Sequence, residues 1–312
     1  MFVDIHGHLS PEGEKGGGPP SLRDPEATIE HKRALGIEMT VIGSPVGAGV
    51  MLPLPDVDNY TQTADQVRAH NERMAELVER HPRDLRTYAY LDPFGGDAML
   101  AQAADLVRDW RFVGLVVNSS VNDEYLSSPR AEQFFAMAAE LAVPVLLHGP
   151  ARPVGAGSLS GFGMVEHVGR FNDITAGLAE ILFAGWLHRF PELILVAAAG
   201  GGAISMLAEK LDLAVAPRPG APARDPAVRP SDGLARIHVD TSCPSPTNLA
   251  ANLAVLGADH VLFGTDAPPL MAALEPTMRI VDDAGLGRAD LALVRGGNAA
   301  RLYGLTPAPA PA

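Results

Sequence analysis

The chain has 312 residues, 47% of them hydrophobic, which is enough for one large α/β domain or two ordinary ones. Its 24 basic and 37 acidic side chains give a net charge of -13, which disfavours nucleic acid as a partner because phosphate backbones are also anionic. One cysteine excludes an internal disulfide framework, and no apolar run approaches the ~18 to 20 residues that cross a membrane. Since no signal peptide is recognised either, we expect no membrane partner and a cytoplasmic location.

The first ten residues contain the pattern on which the functional interpretation depends. Val3-Asp-Ile-His-Gly-His8 is an apolar run, too short for a buried helix, that ends in two histidines. In a strand, side chains i and i+2 point to the same side, so His6 and His8 face one way at the strand end. This arrangement predicts half of a metal site.

The rest of the chain alternates short apolar runs with segments of helical period. A polar segment rich in Gly and Pro, 11–25, predicts a long loop at the metal end, and the apolar segment 46–58 predicts a lid, a pocket wall or a subunit contact. Further strands are predicted at 38–42, 86–90, 112–117, 143–147, 193–197, 236–240 and 260–264. Helices are predicted at 26–35, 61–80, 97–109, 129–141, 174–190, 203–215, 248–256, 271–284 and 288–303.

This alternation predicts a parallel sheet that is buried on both faces. With the first strand the total is eight, and eight such units close most simply into a single (β/α)8 TIM-type barrel with long loops at its C-terminal face. We expect residues 1–305 to form this one domain and the Pro/Ala tail 306–312 to be disordered.

Polar residues at the ends of these strands converge on one point if the barrel closes. They are His6, His8, Ser44, Asn118, His148, Asp240, Thr241 and Asp266. Three histidines and Asp266 around one centre predict one divalent metal ion, with Zn2+ favoured by imidazole ligands and Mn2+ or Fe2+ also possible. His167, in the loop that follows the fifth strand, is a further candidate for substrate contact.

These residues resemble the amidohydrolase superfamily, and specifically the amidohydrolase-2 branch that contains aminocarboxymuconate semialdehyde decarboxylase, γ-resorcylate decarboxylase and 4-oxalomesaconate hydratase. The resemblance covers the whole chain and rests on Asp4-Ile-His-Gly-His8, Pro144-Val-Leu-Leu-His148, Phe190-Pro-Glu-Leu-Ile-Leu195 followed by Gly200-Gly-Gly-Ala-Ile204, and Phe263-Gly-Thr-Asp266. It implies that His6, His8, His148 and Asp266 are metal ligands, that Asp266 serves as a base in some members, and that Asn118 faces the substrate.

Two departures from the family pattern concern catalysis and substrate charge. The family usually ends its sixth strand with an acid/base histidine, but this chain has Ala199, which implies either an engineered His-to-Ala variant or a naturally degenerate enzyme. Relatives that act on small dicarboxylates often carry an arginine after the second strand, where this chain has Gly43, Ser44 and Pro45. Lys210 matches a family arginine that reaches the site of a neighbouring subunit, so a homodimer is expected.

The sequence leaves three functions open for a small-molecule substrate. We favour a carboxy-lyase that decarboxylates an unsaturated or aromatic carboxylic acid, with Asp266 and position 199 as the catalytic positions and Asn118, Ser44, Lys210 and His167 as substrate contacts. A hydrolase or hydratase that uses metal-bound hydroxide would employ the same ligands. A catalytically dead barrel that binds a ligand is the third reading, which Ala199 supports and the four ligand-type residues oppose.

Overall fold

The computed structural model describes residues 1–11, 19–43, 62–159, 161–213 and 229–305. Seven strands form one parallel sheet in the order β1-β2-β3-β4-β7-β8-β9, and β5 pairs with β6 in a separate two-stranded hairpin. The strands are β1 Val3–His8, β2 Met39–Gly43, β3 Leu85–Tyr90, β4 Phe112–Asn118, β5 Ser120–Val121, β6 Glu124–Tyr125, β7 Pro144–His148, β8 Ile194–Ala197 and β9 Ile237–Val239. The polar ends of β1, β4 and β7 therefore lie at the same edge of one sheet.

Helices connect consecutive strands of the sheet, which is the connection that parallel strands require. They are α1 Pro25–Ala34, α2 Ala64–Arg80, α3 Asp97–Leu106, α4 Glu132–Leu141, α5 Arg170–Ala184, α6 Trp186–Arg189, α7 Ala208–Asp212, α8 Pro246–Val255, α9 Leu274–Asp282, α10 Arg288–Ala292 and α11 Asn298–Tyr303. Within the described ranges, no helix is long and apolar enough to cross a membrane.

The sheet curls until its first and last strands are joined by the extended segment 261–264. Leu262 N–H donates to the Val239 carbonyl of β9 at 2.8 Å, and Ile5 N–H of β1 donates to the Phe263 carbonyl at 3.0 Å. This segment forms a single bridge, between Val239 and Val261, and no regular strand. The fold is thus a curled seven-stranded parallel sheet that is consistent with a TIM-type barrel, and the eighth predicted strand, 260–264, is present only as this irregular joint.

A buried ion pair ties three elements together beneath the polar edge. Lys32 of α1 places its Nζ 2.8 Å from Asp4 Oδ2, and both side chains are almost fully buried. Asp4 also accepts hydrogen bonds from the Thr265 backbone N–H at 3.1 Å and from the Thr265 hydroxyl at 2.6 Å. Asp4 therefore connects β1 to the joint segment and to the first helix.

Strand positions are predicted to within one or two residues, whereas several helices differ from the sequence prediction. The predicted helix 174–190 begins earlier, at Arg170, and is divided at Gly185, which adopts a left-handed φ of 76°. The hairpin of β5 and β6 was not predicted, because a two-residue strand has no measurable hydrophobic period. The predicted apolar loop 46–58 and the tail 306–312 lie outside the described residues.

Candidate metal centre

Four side chains converge at the C-terminal edge of the sheet, as their positions at strand ends predict. His6, His8, His148 and Asp266 each offer one ligand atom, and these four atoms lie within 4.8 Å of one another. His6 Nε2 is 3.1 Å from His8 Nε2, which is 2.9 Å from Asp266 Oδ1. The histidines are buried, and Asp266 keeps a fifth of its side chain exposed. The group is built as a metal site would be, with one face toward solvent.

The hydrogen bonds of the outer ring nitrogens fix which atoms face the centre. His8 Nδ1 donates to the Gly43 carbonyl at 3.2 Å, and His148 Nδ1 donates to the Gly149 carbonyl at 2.9 Å. A carbonyl oxygen only accepts, so in a neutral ring the proton is on Nδ1 and Nε2 carries a lone pair. Bare nitrogens and a carboxylate oxygen at these distances repel one another unless a cation lies between them. The residues therefore fit a divalent metal ion.

Asp240 supports His6 from behind and is itself held by several donors. Its Oδ2 lies 2.5 Å from His6 Nδ1. Its Oδ1 accepts from Gly200 N–H at 3.0 Å, from Ser242 N–H at 3.0 Å and from the Ser242 hydroxyl at 2.9 Å. A carboxylate on the outer nitrogen of a metal-binding histidine fixes the ring and increases its basicity. The sequence marked Asp240 as a polar strand end, but its role depends on contacts across 234 residues.

The pKa shifts of His8, His148 and Asp266 favour cation binding, whereas the shift of His6 favours its protonated form while no cation is present. Burial lowers the pKa of His8, and burial with the charges of His6 and Arg170 lowers the pKa of His148 well below its usual range. Burial acts to raise the pKa of Asp266, but the neighbouring His8, His6 and Arg170 lower it overall. Burial acts to lower the pKa of His6, but Asp240 raises it overall. Neutral imidazoles beside an ionised carboxylate are the forms that bind a metal.

Position 199 begins a tight turn at the end of β8. Ala199 has a left-handed φ of 50°, and its N–H donates to the Ser242 hydroxyl at 2.9 Å. The glycines that follow pack closely, since a Cβ at Gly200 would lie 2.0 Å from Asn248 Oδ1 and one at Gly202 would lie 2.2 Å from Thr175 Oγ1. Tight packing therefore accounts for the triple glycine.

The predicted substrate contacts differ in how close the structure brings them to the cluster. Asn118 is buried at the end of β4, where its Cα pairs with that of His148. His167 is exposed on the helical segment Val165–Gly169, and Lys210 is exposed on α7. Ser44 lies outside the described residues. Of the four, Asn118 is the one that the sheet places beside a cluster ligand.

Sequence reasoning missed Arg170, which lies next to the cluster at the start of α5. Its Nε and Nη2 donate to the Gly149 carbonyl at 3.2 Å and 3.1 Å, and the same oxygen accepts from His148 Nδ1. Because the predicted helix begins at residue 174, the sequence prediction leaves Arg170 in a loop and gives it no contact with Gly149. A helix start four residues earlier would have brought it to the polar edge.

A profile of the amidohydrolase family matches residues 3–305. Three decarboxylases are among the solved structures with a similar fold. The 5-carboxyvanillate decarboxylase from Sphingomonas paucimobilis is 20% identical with a TM-score of 0.80, and the match covers 98% of this chain and 99% of that one. A 2,6-dihydroxybenzoate decarboxylase complexed with 2,6-dihydroxybenzoate is 21% identical with a TM-score of 0.78, and the match covers 97% of this chain and 99% of that one. A dihydroxybenzoic acid decarboxylase from Polaromonas sp. JS666, with bound manganese and 2-nitroresorcinol, is 18% identical with a TM-score of 0.78. The match covers 97% of this chain and 96% of that one.

Proposed function

Because the chain belongs to the amidohydrolase family, we propose that it is a metal-dependent decarboxylase of an unsaturated or aromatic carboxylic acid. The observation that carries this proposal is the convergence of three histidines and Asp266, with bare nitrogens facing one centre. The decarboxylases with a similar fold support the reaction class, because they match over nearly the full length of both chains.

His6, His8, His148 and Asp266 are the proposed ligands of one divalent ion. Imidazole ligands favour Zn2+, while the manganese of the Polaromonas decarboxylase supports Mn2+. When bound, the ion would supply positive charge that attracts the acid and polarises a neighbouring oxygen. Asp240 holds His6, and the Gly43 and Gly149 carbonyls hold His8 and His148, so the ligands keep their orientation without the substrate.

The reaction converts R–COO⁻ and a proton into R–H and CO2, so an acid must deliver a proton to the carbon that loses CO2. Ala199 has no proton to give, and we propose that this chain is an impaired His-to-Ala variant, whether engineered or natural. Loss of a general acid typically costs a factor of ~100 to 10,000 in rate. Asp266, the partly exposed member of the cluster, is proposed as a catalytic group as well as a ligand.

The remaining assignments concern recognition. Asn118 is proposed to face the substrate because it lies beside His148 in the neighbouring strand. Ser44, His167 and Lys210 are proposed as outer substrate contacts, with Lys210 acting at the site of the second subunit of a homodimer. The exposure of His167 and Lys210 is compatible with such roles. Substitution of each of the three residues with alanine, in the decarboxylation assay, tests these assignments.

Elemental analysis of the purified chain, repeated on His148→Ala, tests the metal site. We expect one equivalent of Zn2+ or Mn2+ that falls sharply in the variant, because removal of one ligand opens the shell. His188→Ala, an exposed histidine on α6, is the control. A chain that binds no divalent ion after reconstitution would contradict the metal site and leave a ligand-binding barrel.

The reaction itself is tested with Ala199→His. We expect this variant to release CO2 from 5-carboxyvanillate, 2,6-dihydroxybenzoate or a related acid at ~100 to 10,000 times the rate of the unaltered chain. Opening of an amide or a ring without CO2 would indicate a hydrolase instead. No turnover of any kind by the metal-loaded variant would contradict the impaired-enzyme interpretation.

A further inference from the structure

Arg170 holds a fixed position beside the cluster that metal binding does not explain. Two of its nitrogens donate to the Gly149 carbonyl, which also accepts from His148, so the guanidinium is anchored to the residue that follows a proposed ligand. A Cβ at residue 149 would lie 3.1 Å from Arg170 Cβ, which shows how closely the helix start packs on this loop. The side chain is only 13% exposed.

The remaining nitrogen of Arg170 faces a partner that can be exchanged. Nη1 donates to both carboxylate oxygens of Glu166, at 2.7 Å and 2.8 Å, and the Glu166 side chain is 56% exposed. An ion pair between side chains four residues apart on a helical surface contributes little to stability, because water screens it and two side chains must be ordered. Another carboxylate could therefore replace Glu166 at small cost.

The chemistry of decarboxylation indicates which carboxylate of a substrate could replace Glu166 on Arg170. The leaving carboxylate loses its negative charge as CO2 forms, so an arginine bound to that group would stabilise the substrate more than the transition state and slow the reaction. A metal ion differs, because it would also stabilise the charge that moves onto the neighbouring oxygen. A second acidic group keeps its charge throughout, and an arginine on that group orients the substrate without this penalty. In a chain with a net charge of -13, a dianionic substrate also needs a local cation.

We propose that Arg170 binds a second, non-leaving acidic group of the substrate, and that the Glu166 carboxylate occupies the place of that group in the ligand-free protein. This inference rests on the proposed decarboxylase function and narrows its substrate class to unsaturated or aromatic acids with two acidic groups. Arg170 then determines specificity, and Glu166 sets how readily the subsite opens.

Binding of aromatic acids to the manganese-loaded protein tests this inference without any turnover. Isothermal titration calorimetry compares benzoate, which has one carboxylate, with isophthalate and terephthalate, which carry two at different spacings. We expect the unaltered chain to bind one of the diacids about 10- to 100-fold more tightly than benzoate, the range of one charge-assisted hydrogen-bonded contact. Arg170→Gln removes that preference and leaves benzoate binding unchanged, while Arg170→Lys retains part of it.

Glu166→Gln keeps every contact of Arg170 with Gly149 and removes only the competing charge. It is expected to bind the preferred diacid about twofold more tightly, in line with the small contribution of such a pair. Arg108→Gln, which breaks an exposed ion pair with Asp105 near the end of α3, is the matched control. Manganese content is measured in every variant, so that a lost ion is not mistaken for a lost anion site.

The outcomes test the role of Arg170 separately from the proposed decarboxylation. Equal preference for the diacid in the unaltered chain and in Arg170→Gln, or no preference in either, would overturn the inference, even if Ala199→His releases CO2. A preference that depends on Arg170 supports it, even if no acid is decarboxylated.

Discussion

At the scale of single residues, the contact between His6 and Asp240 does more than hold a ring. Asp240 Oδ2 contacts His6 Nδ1, while Asp240 Oδ1 accepts hydrogen bonds from the Gly200 N–H and the Ser242 hydroxyl. Ser242 in turn accepts from the N–H of Ala199. The turn that carries position 199 and the proposed ligand His6 thus share the carboxylate of Asp240. Two hydrogen bonds link Gly200 of this turn to His6, and three link Ala199 to it.

Asp240→Asn is predicted to weaken metal binding about 10- to 100-fold, because an amide of the same shape cannot supply the negative charge that makes His6 a strong ligand. Competition with a chelating dye for Mn2+ or Zn2+ measures the dissociation constant. Asp173→Asn is the matched control, since Asp173 is also buried but binds Ser119, Ser120 and the Val154 N–H. Equal loss in both variants would indicate a general effect of buried Asp→Asn substitution.

At the scale of elements, the joint between the first and last parts of the sheet depends on Asp4. Its carboxylate binds Lys32 from α1, Thr265 from the joint segment and the His6 N–H from its own strand. An ion pair buried in this way contributes little when it replaces apolar packing, but removal of one partner leaves an uncompensated buried charge.

Lys32→Met is therefore predicted to lower the free energy of unfolding by about 3 to 5 kcal/mol, because Asp4 stays buried without its cation. Urea unfolding at neutral pH measures this change. Lys210→Met, on the exposed face of α7, is the control and is expected to change the free energy by less than about 0.5 kcal/mol. A loss that is the same in both variants would show that the pair does not secure the joint. Asp4→Asn with Lys32→Met is expected to recover part of the loss.

The strands and the four cluster residues were predictable because each depends on a local pattern. Val3–His8 and Pro144–His148 are short apolar runs that end in histidine, and the period of a strand fixes which way the rings point. Asp240 and Arg170 were not assigned roles, since each acts through partners from another element. The sequence of the joint segment 261–264 predicts a strand because it is as apolar as one. Only its hydrogen bonds, which form a single bridge, distinguish it from a regular strand.

At the scale of the whole molecule, the buried His238 contributes to the loss of stability at acid pH. His238 of β9 is buried and stacks on His260 with ring centroids 4.5 Å apart. Burial, followed by the charges of His260 and Arg301, lowers the pKa of His238 to about 4. The unfolded chain binds this proton below about 6.5, so the stability from a neutral His238 is lost as the pH falls from 6.5 toward 4.

His238→Phe is predicted to reduce the loss of stability between pH 7 and pH 5 by about 2 kcal/mol, because the ring still stacks but no longer gains a proton on unfolding. Urea unfolding at both pH values, in the chain and the variant, gives this difference. His188→Phe, an exposed site, is expected to leave the pH dependence as it is. The same pH dependence in His238→Phe as in the unaltered chain would assign acid sensitivity to other groups.

The order of the cluster residues along the chain also determines the order in which they become available during synthesis. His6 and His8 leave the ribosome first, His148 follows in mid-chain, and Asp240 and Asp266 come last, since the closing contacts join residues more than 230 positions apart. A nascent chain with both early histidines can hold an ion only loosely, because its other ligands have not been made. With the proposed ligands, full occupancy by an ion would therefore report that the last part of the chain has docked against His6 and His8.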